Sequence, residues 1–269
     1  MNLQKLIFTK SDCYKNGKTI TPIGIVVHST GANNSNLKRY VGPDDGLLGN
    51  NPNKNHWNKA GIAKCVHAFI GKLANGDIAT YQTLPWDRRG WHAGKGTKGT
   101  ANDDYIGFEI CEDDLKSKTY FDLVYNEAVE LTAMLCKEYN IKPEMPYLIC
   151  HSEAHDTLKI ASAHKDVMHW FPLFGKSMDT FRADVAKALA LVAEEKPPVV
   201  VPETLPVLKK GSKGEDVKTM QKKLNAFGYK LTVDGDFGPC TETALKDFQK
   251  KNGLTADGVC GKMTWAALK

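Results

Sequence analysis

Apolar positions along the first 190 residues alternate between two periods. Short continuous runs, Gly24-Ile-Val-Val27, Cys65-Val-His-Ala-Phe-Ile70, Ile78-Ala-Thr-Tyr81, Tyr105-Ile-Gly-Phe-Glu-Ile110 and Tyr147-Leu-Ile-Cys150, read as buried strands. Between them, Val124, Ala128, Leu131 and Leu135 keep helical spacing within Phe121–Tyr139, and Met178–Val192 repeats the pattern. Strands interleaved with helices predict an α/β unit, a mixed central sheet flanked by helices. The last 65 or so residues differ. Val217, Met220, Leu224 and Phe227 form one helical face closed by Gly228, Ala244, Leu245 and Phe248 a second, and Trp265 with Leu268 a third. Asp234-Gly-Asp-Phe-Gly238 and Asp257-Gly-Val-Cys-Gly261 repeat a D-G-x-x-G turn at a spacing of 23, each with a helix start near a threonine. A small all-α three-helix domain is the economical expectation.

The boundary lies in Glu194–Thr204, where three prolines in six residues fix backbone dihedrals and remove donors. The expected organisation is a catalytic domain over 1–193, a Pro-rich linker over 194–204 and a second domain over 205–269. Composition fits globular domains: 42% hydrophobic and 25% charged residues allow a core and exclude a disordered or collagenous chain. No apolar run reaches the roughly 20 residues of a membrane span, so membrane insertion is not expected. Met1–Lys10 holds only a three-residue apolar patch, which predicts synthesis in the cytoplasm without a secretory signal. Of the net charge of +5, residues 203–269 carry +4, from 12 Lys/Arg against 8 Asp/Glu, leaving +1 for the remainder. That density is too low for nucleic acid. Seven widely spread cysteines without C-x-x-C predict buried thiols, and neither a disulfide framework nor a thiolate zinc site. Pairing of Cys240 with Cys260 is likewise not expected.

Candidate chemistry comes from the histidines. His28 and His151 each end an apolar strand, where a rigid element can aim a ligand at the sheet edge, and Asp166 follows His151 by fifteen residues. Two imidazoles and a carboxylate can make the open three-ligand zinc site of hydrolases. A rival pair, His151 and His155 at i, i+4, lacks the glutamate position of H-E-x-x-H. Satisfied structural histidines are the bland alternative for each.

Five segments in order, Gly24-Ile-Val-Val-His-Ser-Thr30, Arg89-Gly-Trp-His-Ala-Gly94, Tyr105-Ile-Gly-Phe-Glu109, Cys150-His-Ser-Glu153 and Asp166-Val-Met-His-Trp-Phe-Pro172, resemble the zinc-dependent N-acetylmuramoyl-L-alanine amidases of the type-2 family, relatives of peptidoglycan recognition proteins. The resemblance spans about residues 20–185. The tail, with Leu208-Lys-Lys-Gly-Ser-Lys-Gly-Glu-Asp-Val217 and its turns, resembles the peptidoglycan-binding type-1 domain. The resemblance implies Zn2+ on His28, His151 and Asp166, a general base at Glu109, and His164 where the family often has lysine, positioned to stabilise an oxyanion. It implies substrate-binding roles for Trp91, His92 and His67, the last standing where some members carry a tyrosine. Packing is the simpler role for His169 and Trp170. The partner implied is bacterial peptidoglycan, met as a phage or prophage endolysin acting on the wall after release. A non-catalytic recognition module and a bacterial autolysin lacking its leader are the alternatives. A muramidase would need a carboxylate pair flanking a glycosidic bond, and no such pair stands out. No oligomeric state is assigned by the pattern.

Overall fold

The computed structural model describes residues 1–194, 206–252 and 254–268. Most of the Pro-rich segment, residues 195–205, lies outside them. Chain contacts divide the protein into two units, Met1–Glu195 and Lys196–Lys269.

The first unit is a six-stranded sheet with strands β1 (Leu3–Lys5), β2 (Gly24–Ser29), β3 (Ala68–Lys72), β4 (Ile78–Gln82), β5 (Tyr105–Ile110) and β6 (Leu148–Cys150), in the order β1-β4-β3-β5-β2-β6. Only β3 and β4 pair antiparallel; the other neighbours are parallel, so the sheet is mixed. All six residues of β2 are buried, which is why its sequence reads as a continuous apolar run rather than an alternation. Helix α1 (Asp12–Asn16) is a short N-terminal turn capped by Ser11.

Helix α2 (Lys118–Tyr139) begins where the Ser117 hydroxyl accepts the Tyr120 N–H and ends at Asn140, whose φ of 53° is left-handed. Its buried stripe of Phe121, Val124, Ala128, Leu131 and Leu135 packs on one sheet face against Ile25, Val27, Ala68, Ile70, Ile106 and Phe108. Helix α4 (Met178–Glu194) lies beside α2 and adds Met178, Phe181 and Val185 to the same cluster, with Trp170 and Phe171 between them. The period of two then decides the rest. With Val27 and Phe108 facing the helices, His28 and Glu109 point to the opposite face, covered by the long loops before β3 and β5.

Two expectations are corrected here. Cys13 and Cys65 form a disulfide across 52 positions, because the fold brings α1 beside the approach to β3, a proximity invisible in the spacing. Cys240 is exposed, whereas Cys111, Cys136, Cys150 and Cys260 are buried thiols. His151 also does not close a strand: β6 stops at Cys150, and His151 opens helix α3 (His151–Asp156).

The second unit contains α5 (Glu215–Ala226), α6 (Pro239–Lys251) and α7 (Lys262–Ala267) around Val217, Met220, Leu224, Phe237, Leu245, Phe248 and Trp265. Each D-G-x-x-G turn is gripped by one buried glutamine. Gln221 donates through Nε2 to Asp234 Oδ1 at 2.9 Å, the Asp236 carbonyl at 3.1 Å and Thr241 Oγ1 at 3.2 Å, while its Oε1 accepts the Gly235 N–H at 3.0 Å. Gln249 makes the same four contacts with Asp257, the Val259 carbonyl, Thr264 and the Gly258 N–H. The repeat seen in sequence is therefore a repeat of polar wiring as well as of turns.

Candidate active site

The carboxyl ends of the parallel strands β2, β5 and β6 share one edge, the usual location of sites in such sheets. His28 and Glu109 sit there as direct register partners. His151, at the start of α3, is anchored by its neighbours. The Glu153 carboxylate accepts the Cys150 N–H at 3.1 Å and pairs with the Arg182 guanidinium at 2.9 Å, fixing the strand-to-helix corner. The loop carrying Asp166 is tied to the same corner, where the Asp166 carbonyl accepts the Ser152 N–H at 3.3 Å.

Hydrogen bonds set the ring tautomers. His151 Nε2 lies 3.0 Å from the Ser162 carbonyl, which can only accept, so Nε2 carries the proton. His92 Nε2 lies 3.2 Å from the Tyr105 carbonyl, so in the neutral ring its Nδ1 is an acceptor, and it receives His28 Nε2–H at 2.9 Å. Burial foremost, reinforced for His92 by the neighbouring imidazoles, holds both His28 and His92 below the usual histidine range, so both rings are neutral near pH 7. In their neutral rings, His28 and His151 therefore turn Nδ1 lone pairs toward each other at 3.1 Å. Asp166 Oδ2 completes the triangle at 3.2 Å from His28 Nδ1 and 3.5 Å from His151 Nδ1.

Three electron-rich atoms meeting at one point repel unless a positive charge sits among them. Their separations also match a tetrahedral zinc shell, in which ligands about 2.0–2.1 Å from the metal stand about 3.3 Å apart. Among the described residues, His28, His151 and Asp166 are the one group of such side chains whose ligand atoms converge in this way. The donor chemistry and spacing therefore fit a small divalent cation. The rival ligand His155 points elsewhere, pairing with Asp156 at 2.7 Å.

These atoms floor a cavity of about 490 Å³. Glu109 borders it, part-exposed, yet its Oε2 is buried and has no hydrogen-bond partner among the described residues. Burial first, then the Asp166 and Glu112 carboxylates, raise the Glu109 carboxyl well above its usual range. His164 is exposed at the rim, its ring centroid 4.7 Å from that of His151. Trp91 forms part of the wall with Trp57 and Lys64. His92 borders the cavity, but both its nitrogens are engaged, leaving only its ring face to a substrate; the ring fits because β5 has Gly107, where a Cβ would lie 2.4 Å from His92 Nδ1.

His67 stands apart from the others. It is fully buried, its Nε2–H donates to the Arg88 carbonyl at 2.7 Å, and its Nδ1 accepts the Gly107 N–H at 3.0 Å. It has no atom free for a ligand and supports the sheet behind the cavity. His169 likewise pairs with buried Glu112 at 2.9 Å, and Trp170 is a core residue. Sequence reading missed Ser162, whose contribution is a backbone carbonyl and leaves no side-chain signal, and also Trp57 and Lys64, isolated in a polar loop.

A family profile of N-acetylmuramoyl-L-alanine amidases matches residues 18–167, and one of peptidoglycan binding domains matches residues 213–268. The chain is 34% identical over 202 residues to the N-acetylmuramoyl-L-alanine amidase CwlH of Bacillus subtilis, covering 72% of this chain and 74% of that one. It is 30% identical over 176 residues to the N-acetylmuramoyl-L-alanine amidase CwlL of Bacillus licheniformis, covering 64% of this chain and 46% of the other. The Staphylococcus aureus hydrolase AmiA, solved with its ligand, superposes with a TM-score of 0.52 at 18% identity over 73% of this chain and 86% of its own, a likeness of fold.

Proposed function

Because the chain belongs to the N-acetylmuramoyl-L-alanine amidase family, we propose that it hydrolyses the amide between N-acetylmuramic acid and L-alanine in bacterial peptidoglycan, using Zn2+ held by His28, His151 and Asp166. The observation that carries the reading is the triangle of donors, with both imidazole tautomers fixed from behind so that Nδ1 faces inward. When bound, zinc supplies a Lewis acid and brings the pKa of a coordinated water toward 7.

The chain's own groups do the rest. Glu109 takes the proton of the attacking water and delivers it to the departing alanine nitrogen. His164 offers its imidazole N–H to the carbonyl oxygen as charge develops there. Trp57 and Trp91 flank the muramoyl group. The catalytic region is residues 1–193, and the tail, 205–269, holds the enzyme on an insoluble wall, which raises the local concentration of scissile bonds. The endolysin role is proposed from the resemblance in sequence.

Product analysis on purified peptidoglycan tests the reaction. New alanine amino groups without new reducing sugar ends are expected; new reducing ends alone would overturn the reading in favour of a glycosidase. Separating the chain near Pro198 tests the tether: lysis of whole walls should drop while cleavage of small soluble fragments persists.

A further inference from the structure

A second cleft, of about 420 Å³, opens beside the reaction cavity and is lined by Lys95, Gly96, Thr97, His155, Lys159 and Ser162. The two cavities adjoin: Ser162 lines both, and Gly94 of the first is followed directly by Lys95 of the second. Ser162 is also the residue whose carbonyl orients His151, so a group in the second cleft lies a single residue away from the reaction centre.

The cleft is built rather than incidental. Its two walls are stitched by the Lys98 N–H donating to the Lys159 carbonyl at 2.9 Å and the Ala101 N–H donating to the Ile160 carbonyl at 2.8 Å. The approach is so close that a Cβ at Gly96 would lie 2.2 Å from the Lys159 carbonyl oxygen. Lys159 itself has a φ of 63°, a left-handed conformation that costs a long side chain free energy. Its carbonyl is held by the Lys98 N–H, and the cleft that holds Lys95 is lined by this second lysine. Lys95 and Lys159 are both exposed, and among the described residues neither forms an ion pair. The acid next to the lining is Asp156, whose carboxylate is held by His155 Nδ1 at 2.7 Å and forms no ion pair with either lysine. In a region whose net charge is only +1, two unneutralised ammonium groups at the edge of the reaction site are a local excess.

We propose that this cleft is a carboxylate subsite, in which Lys95 and Lys159 bind the free α-carboxylate of the acidic residue following L-alanine in the wall peptide. The proposal rests on the amidase reading and deepens it, since it predicts discrimination between wall peptides carrying that carboxylate and those in which it is amidated. Charge-assisted hydrogen bonds of this kind are the stronger class and read geometry as well as charge.

The test compares two soluble substrates, N-acetylmuramoyl-L-alanyl-D-glutamate and N-acetylmuramoyl-L-alanyl-D-isoglutamine, which differ by one carboxylate against one amide. The full chain should prefer the free acid by about tenfold in kcat/KM, on the scale of one hydrogen bond to a charged group. In Lys95→Met/Lys159→Met the ratio should fall to within about twofold of unity, and in Lys159→Glu the preference should invert. The ratio is internal to each preparation, so a partly unfolded sample lowers both rates and leaves it intact. A ratio near unity in the unmodified chain, or one that persists in the double variant, overturns the subsite. Should neither compound release an alanine amine, the amidase reading fails separately. The subsite is then judged by calorimetric titration of L-alanyl-D-glutamate against L-alanyl-D-isoglutamine, where equal affinity overturns it and a preference lost in the double variant upholds it.

Discussion

The reaction site of the sheet unit and the core of the helical tail bury polar atoms by opposite rules. In the tail, Gln221 and Gln249 are buried with every polar atom matched, each donor to an acceptor and each acceptor to an N–H. Around His28, three acceptors are pressed to within 3.1–3.5 Å of one another, and Glu109 Oε2 is buried without a partner. A matched buried group stabilises and asks for nothing more; an unmatched one costs free energy until a ligand or a proton completes it. The tail glutamines specify a fold, and the unmatched cluster specifies a chemistry.

The largest effect should come from removing a member of the unmatched cluster. His28→Ala should reduce bound zinc well below one per chain and bring wall lysis to background, and chelation of the unmodified protein should do the same, reversed by added Zn2+. Elemental analysis beside a turbidity assay reads both; a fully active chelated protein would exclude the metal. Next, Glu109→Gln should keep zinc content and circular dichroism while cleavage falls about 10²–10⁴-fold. Survival of the rate within a few-fold would move the base to another residue.

His67 sharpens the contrast from a third position, since it is buried and matched, but only while neutral. Burial, against the pull of the Arg88 and Gly107 backbone bonds, sets its pKa near about 4, below the ordinary 6.5. The unfolded chain therefore binds the proton first as pH falls. Stability is fully present above about pH 6.5 and drains away as pH descends through about 4, by about 3 kcal/mol in all. Urea unfolding of the chain and of His67→Asn across that window should differ in slope by this amount, and parallel curves would refute the assignment. The smallest effect is in the tail. Gln221→Ala strands the Gly235 N–H and should cost about 2 kcal/mol, read as an earlier melting step while zinc content stays unchanged. An unshifted step would show the clamp to be idle.

How much of this was legible depended on whether a signal is local. β2 and β5 declared themselves because both faces are buried, and α2 because its stripe keeps a 3.6 period. β1 did not: three residues, Leu-Gln-Lys, held at the sheet edge by β4, carry no pattern of their own. His28, His151 and Asp166 were legible by resemblance and by residue type, but the atoms they present were not. Tautomer is decided by the Ser162 and Tyr105 carbonyls, and every residue has a carbonyl. For His67 and His92 the residue type is visible in sequence, whereas the engagement of both ring nitrogens is not. The turn repeat was visible at a spacing of 23, whereas its glutamines precede their aspartates by 13 and 8 positions, so no common period reveals them.

The Cys13–Cys65 bond makes a ring of the intervening chain. Closing a loop of that size removes about 4 kcal/mol of freedom from the unfolded chain. It also changes what a cut means. Much of 43–55 is exposed, the sort of surface a protease meets first, and it lies wholly inside the ring. One scission there opens a circle instead of severing a strand. The N-terminal segment, with its edge strand, stays leashed to the sheet, and Cys65, which exchanges backbone hydrogen bonds with Trp91 at 3.1 Å, keeps that wall of the cavity in place. A nicked molecule would migrate as one piece until it is reduced.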